Sequence, residues 1–308
     1  MHVSKLLLAF LFSFNLSAMS LDVAVSLNGT DQMLMEAGQP ADLTVKYTNP
    51  ATSRPFTMFM KMHAKLQHMV VISRDLTHFA HIHPEWNKRS RQFELKLNSA
   101  TTDFDNQMLP TAIPFGGEYM VFSEVMAMDG TEHFMQADRF MITADGAPTA
   151  QTADTYFPDA SMPVVKYYNL DGSEGVEGSA LRITLTYDML DFCNNWFPKF
   201  YFDMAEYVDG KYVAATDFTP WLEMGGHAVL LSADDVALKD RRFHHLHAFL
   251  PIGTPGEFTF PYDDHLPPLP AGHYKIWSQY LYKGQLVTAS FAFEMQIPTF
   301  DTKCKSSF

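Results

Sequence analysis

Residues 68–84 read HMVVISRDLTHFAHIHP and carry four histidines in seventeen positions. Side chains two apart on a strand leave by the same face, so His81 and His83 project together, their Cα atoms about 6–7 Å apart. That spacing lets two imidazoles converge on one ion. His68 opens the preceding apolar segment, and a short turn through RDLTHFA can bring it back beside residues 81–83. Three imidazoles from two neighbouring strands suit Zn²⁺ or Cu²⁺ with an open or water-filled position. The same arrangement recurs at residues 227–248, HAVLLSADDVALKDRRFHHLHA, where His227, His245 and His247 stand as His68, His81 and His83 do.

A lone histidine at a strand end is ordinarily a surface or hydrogen-bonding residue; recurrence of the triad in register is what argues for metal. His63, five residues before His68, reads either as a fourth ligand or as a group supporting one. His78, His133, His244, His265 and His273 stand outside the register and are read as ordinary. Met58, Met60 and Met62 alternate in TMFMKMH and share a strand face. Thioethers favour Cu(I), although methionine at that spacing is also ordinary core packing. Together with an exported location, argued below, they move the expected ion from zinc to copper, with zinc second. Asp75 either orients a neighbouring imidazole or caps its own turn.

The elements that must position these residues are strands. DLTVKYT, HMVVIS, EYMVFSEVMA and RFMIT, then ALRITLTYDML, KIWSQYL and LVTASFAFEM, are short β-branched or aromatic runs bounded by turn residues. No long 3.6-period apolar stripe appears, so helices are few. The halves align in order: QHMVVIS with GHAVLLS, FAHIHP with FHHLHA, GEYMVFSE with GHYKIWSQ. Duplication of one β-domain explains this economically. Residues 144–163, rich in Ala, Thr, Asp and Pro, read as a linker between domains at 21–143 and 164–297, with a polar tail at 298–308. The expected fold class is all-β, two tandem β-sandwich domains after a cleaved signal peptide.

Residues 1–20 supply that signal: Lys5, an apolar run from Leu6 to Leu16, then Ser17-Ala18-Met19-Ser20, with cleavage before Leu21. The run is too short to span a bilayer, and no later segment reads as a membrane span. A periplasmic or secreted location follows. The formal charge of −13 makes nucleic acid an unexpected partner. Cys193 and Cys304 either form a disulfide or stay free; neither precedes the closely spaced His and Met of a blue-copper site. No phosphate loop, nucleophile elbow or H-E-x-x-H helix is present, so no enzyme is expected.

The string D-L-x-x-F-x-H-x-H-P with a later G-x-Y strand resembles a group of exported bacterial proteins, similar to immunoglobulin-like or cupredoxin-like periplasmic domains that handle copper. The resemblance covers most of residues 56–143 and 221–296. It implies metal binding at His68, His81, His83, His227, His245 and His247. The second repeat departs from it, with Ala248 in place of Pro84 and a longer DDVALKDRR loop. The expected function is copper buffering, carriage or resistance in the cell envelope, with the metal ion and an envelope protein as partners. The alternative is an extracellular module in which the histidines are structural and Trp221 and Trp277 contact a protein or glycan.

Overall fold

The computed structural model describes residues 20–99, 111–130, 132–150, 162–192, 195–234, 236–251, 254–261 and 269–296. Residues 1–19 of the expected signal peptide, Cys193, Cys304, His265, the expected polar tail and most of the expected linker lie outside the described residues. No described helix is long and apolar enough to cross a membrane.

The first half holds strands β1 (Asp22–Leu27), β2 (Leu34–Glu36), β3 (Ala41–Asn49), β4 (Arg54–Pro55), β5 (Phe59–Met60), β6 (Gln67–Ser73), β7 (Phe79–Ile82), β8 (Glu85–Asn87), β9 (Gln92–Leu97), β10 (Gly117–Asp129) and β11 (Glu132–Asp145). The second holds β12 (Val164–Tyr168), β13 (Leu181–Phe192), β14 (Asn195–Val208), β15 (Lys211–Ala214), β16 (Phe218–Thr219), β17 (Gly226–Ser232), β18 (Phe243–Ala248), β19 (Glu257–Pro261), β20 (Gly272–Tyr282) and β21 (Gln285–Met295). One 3₁₀ turn, Leu238–Asp240, interrupts the β structure. The chain is all-β. β11 carries two residues beyond the boundary expected at 143, with Ala144 and Asp145 paired to Met35 and Glu36.

In the first half, sheet β1-β3-β9-β8 faces sheet β2-β11-β10-β6-β7 across a core that includes Leu43, Val45, Phe93, Val71, Val121 and Ile142. In the second, β12-β13-β14-β15 faces β16-β20-β17-β18, with β21 on β20, around Leu181, Ile183, Phe202, Leu230, Ile276 and Phe291. Each half is therefore a two-sheet sandwich closed by alternate inward side chains. The G-x-Y strands open alike. Gly117 and Gly272 take φ of +139° and +153°, which glycine alone adopts easily. The hydroxyls of Tyr119 and Tyr274 donate to the carbonyls four residues upstream, Phe115 and Pro270.

A third apolar cluster joins the halves. Val70, Ile72, Met120 and Phe122 pack against Val229, Leu231, Phe243 and Trp277. Phe122 stacks on Phe243 with centroids 4.1 Å apart, and Phe79 on Trp277 at 5.3 Å. In the repeat alignment Phe122 answers to Trp277 and Phe79 to Phe243, so the two stacks are one contact made twice about a pseudo-twofold axis. Two cations bolt the rim: Arg139 donates to the carbonyls of Leu238, Lys239 and Arg241, and Lys275 to that of Leu76. Packed this way, β6 and β17 have both faces covered, and every residue in each is buried.

Candidate metal centre

Strand parity decides what meets at this interface. Along β6, Met69 and Val71 enter the domain core, leaving His68, Val70 and Ile72 on the opposite face. On β7, Ala80 and Ile82 point inward, so His81 and His83 share the interface face. The second half repeats this, with Ala228, Leu230, Leu246 and Ala248 inside and His227, His245 and His247 outside. Register aligns the triads across strands. His227 pairs with His247 and, on its other side, with Gln279. His68 pairs with Glu124, and Met69 pairs with Ile82, so one step further His68 faces His83.

Because the two faces oppose one another, all six histidines form a single cluster. Ring centroids across the interface lie 4.9 Å apart for His81–His245, 5.1 Å for His68–His245 and 5.7 Å for His81–His227. Nitrogens of His68, His81 and His83 lie within 4.8 Å of one another, as do those of His81, His227 and His245. His63 belongs to the first domain but its ring packs against that of His247 of the second, centroids 3.9 Å apart and planes tilted by 40°.

The outer nitrogens are committed to acceptors. His68 Nε2 lies 2.7 Å from the Met62 carbonyl, and His227 Nε2 lies 3.1 Å from the Trp221 carbonyl. A carbonyl only accepts, so each Nε2 carries the proton, and in neutral rings each Nδ1 is bare. His81 Nδ1 faces Gln279 Oε1 at 3.1 Å, the amide being oriented by its own donation to Thr288 Oγ1. His245 Nδ1 faces Glu124 Oε2 at 3.1 Å. Both acceptors come from the opposite domain, and with Glu124 ionised both leave Nε2 bare. The bare pairs then meet: His68 Nδ1 is 3.1 Å from His81 Nε2, and His227 Nδ1 is 3.4 Å from His245 Nε2. Two lone pairs at that distance repel unless something positive lies between them. Two ligand nitrogens at 2.0–2.1 Å from a tetrahedral ion stand about 3.3–3.4 Å apart.

Protons are poor candidates for that role. Burial drives His68, His81, His227 and His245 well below the ordinary imidazole value, and the neighbouring imidazoles lower them further. His247 falls to about 3, chiefly by burial. Burial lifts the Glu124 carboxyl to about 7 against the pull of Arg139.

The carbonyls of Met62 and Trp221 are presented by matched two-residue turns. His63 and Ala64 have φ of +48° and +68°; Leu222 and Glu223 have +50° and +67°. Left-handed backbone in four non-glycine residues is costly, about 1–3 kcal/mol each, and here it aims an acceptor at a histidine. Trp221 covers the cluster, its ring 5.0 Å from His227 and 5.6 Å from His81. One cleft reaches the cluster past Met62, His63, Glu124, Arg139, His245 and His247, and another past Lys65, His83, Pro84, Trp86 and Leu222.

Each of the seven sequence-selected histidines thus lies in or against this cluster. The two triads, read from the sequence as one site per domain, meet in one cluster, because the triad-bearing faces pack on each other. Trp221 and Trp277, which the alternative reading offered as exposed contact residues, are both buried. Met58 and Met60 are exposed, while Met62 contributes its main-chain carbonyl. Asp75 accepts from Ser73 Oγ, Thr77 N and Thr77 Oγ1, the turn role. Sequence reading missed Glu124 and Gln279. Their matched places in GEYMVFSE and GHYKIWSQ were a usable signal, since each sits on the same face as the aromatic residue two positions before it, Phe122 or Trp277.

A family model described as a domain of unknown function, DUF8832, matches residues 19–145, which is the first repeat. No curated protein matches the chain. Among solved structures, a DUF4785-family protein from Legionella pneumophila is 12% identical with a TM-score of 0.26, covering 89% of this chain and 56% of that one. The chain therefore spans little more than half the length of that protein. The Enterococcus faecalis MSCRAMM ACE, described as binding its ligands by the collagen hug model, is 9% identical with a TM-score of 0.13, covering 90% of this chain and 95% of that one.

Proposed function

We propose that this is an exported metal-binding protein of the cell envelope whose site is the histidine cluster shared by its two domains. Copper is the preferred ion and zinc the second. One observation carries the reading: main-chain carbonyls hold the outer nitrogens of His68 and His227, so buried, neutral imidazoles turn bare nitrogens toward each other at metal-ligand separations. Acceptors on the far nitrogen are how proteins fix the tautomer and aim of metal-binding histidines. An all-imidazole set suits Cu²⁺ and Zn²⁺, and copper heads the affinity order for divalent ions. The role is binding rather than turnover, as a buffer, carrier or resistance factor. Equilibrium dialysis of the purified protein against Cu²⁺ and Zn²⁺ tests it. Retention at micromolar free metal is expected, copper more tightly than zinc; no retention of either would overturn the proposal.

A further inference from the structure

We infer that the cluster holds two metal ions, one in each histidine triad, close enough to share a bridging hydroxide. This rests on the reading above that the cluster binds metal, and adds its nuclearity and its exogenous ligand.

The triads are nearly congruent. Ring centroids within the first are 5.4 Å apart for His68–His81, 5.0 Å for His68–His83 and 4.7 Å for His81–His83. The matching distances in the second are 5.6, 4.9 and 4.5 Å. The rings of the two triads are therefore spaced alike, the nitrogens of the first already lying within 4.8 Å of one another, and three protein ligands leave an ion with an open position. A single ion on the pseudo-twofold axis would use the inner four nitrogens of His68, His81, His227 and His245. It would leave His83 and His247 with no part, although both repeats place a histidine there. His247 Nε2 is buried with no hydrogen-bond partner, which is an expensive state unless a ligand completes it. Two ions employ all six rings.

The ions would be neighbours, because the shortest ring separations between triads match those within one. Two divalent ions that close repel strongly, and among the described residues the carboxylate hydrogen-bonded to the six rings, Glu124, is already committed to His245. An anion between them relieves the repulsion. A water held by both ions loses a proton to solvent readily, as metal-bound water does near neutral pH. The hydroxide so formed fills both open positions. Trp221 adds a buried indole N–H with no acceptor, on a ring packed against His81, His83 and His227. An anion in the cluster would be a natural acceptor for it.

The test uses the intact protein loaded with Cu²⁺ and desalted, with copper counted by mass spectrometry and spin counted by electron paramagnetic resonance. Expected are two coppers per chain and detectable spin well under half of the copper present, because a hydroxide-bridged pair couples its spins. His83→Gln and His247→Gln should each hold one copper with nearly full spin. One copper per chain with full spin, unchanged in both variants, would overturn the inference and leave the binding proposal standing. Two coppers with full spin would overturn the shared ligand. No retained copper would overturn both proposals. If a variant fails to fold by circular dichroism, the stoichiometry and spin count of the unaltered protein still decide.

Discussion

Acid should destabilise the metal-free protein steeply between pH 7.5 and 5.5. His68, His81, His227 and His245 sit well below the ordinary imidazole value of 6.5, and His247 lies at about 3. The folded state is therefore proton-poor and the unfolded chain binds the excess protons. Their contribution is fully present above pH 6.5 and is lost as pH falls. For one such group, going from pH 7.5 to 5.5 removes about 1.4 kcal/mol. Five independent groups would remove about 7 kcal/mol. Glu124 works the other way: its folded value of about 7 lies above the usual 4.5, so it takes up a proton over this range and returns about 2 kcal/mol. A net loss of about 5 kcal/mol remains, comparable to the stability of many whole domains. The assay is urea unfolding in chelator at pH 7.5, 6.5 and 5.5, followed by fluorescence of the buried Trp221 and Trp277. Opening of the interface alone would suffice to expose them. A midpoint that stays flat or rises toward pH 5.5 would refute the placement of neutral imidazoles in a closed interface.

Three further outcomes are expected. His81→Ala or His83→Ala should weaken copper binding at least tenfold, about 1.4 kcal/mol, whereas His78→Ala, packed against Phe115 and Tyr119, should change it less than twofold in the same dialysis. Gln279→Met removes the acceptor on His81 Nδ1 and should lower affinity about 10–100-fold, the usual effect of losing a ligand's hydrogen-bonding partner, while Gln279→Glu, which copies Glu124, should stay within a few-fold; equal loss in both would mean that the amide presents its N–H to His81 instead. Phe122→Ala opens the stack on Phe243 and should cost about 3–5 kcal/mol by denaturant titration, with a smaller loss placing the stack in a yielding part of the interface.

The strands, the repeat pattern and the histidines that cluster were legible because each rests on local rules. Period-two alternation placed His81 and His83 on one face, and repeat alignment placed His245 and His247 with them. The meeting of the two histidine triads was not read, yet a signal for it existed. A strand on the outside of a lone sandwich alternates apolar and polar residues, whereas HMVVIS and HAVLLS are apolar or histidine at nearly every position. Such runs are read as buried on both faces, and that requires another layer over the outward face of the sandwich. What no local rule supplies is the identity of that layer. It is fixed by contacts such as Phe122 on Phe243 and Arg139 on the Leu238–Asp240 turn, between residues about a hundred or more positions apart.

The pattern of divergence between the repeats follows from how the site is built. The six clustered positions keep histidine in both halves, as the proposed site requires, because a neutral imidazole offers a bare ring nitrogen there. The acceptors for His68 and His227 are main-chain carbonyls, which any side chain can accompany; accordingly Met62 answers to Trp221, and His63-Ala64 to Leu222-Glu223. Glu124 answers to Gln279, since each need only offer an oxygen to the histidine opposite. That last difference breaks the symmetry in charge. The second triad has a carboxylate behind His245, which strengthens its donor and stabilises a cation beside it. The first has a neutral amide behind His81 and so less to offset a second positive ion. With both triads filled, the ion held by His227, His245 and His247 should therefore be the harder to remove. Stepwise chelation of the copper-loaded protein should show two affinities, and Glu124→Gln should bring them together; if the two were already equal, the carboxylate would have no electrostatic part in holding the ion.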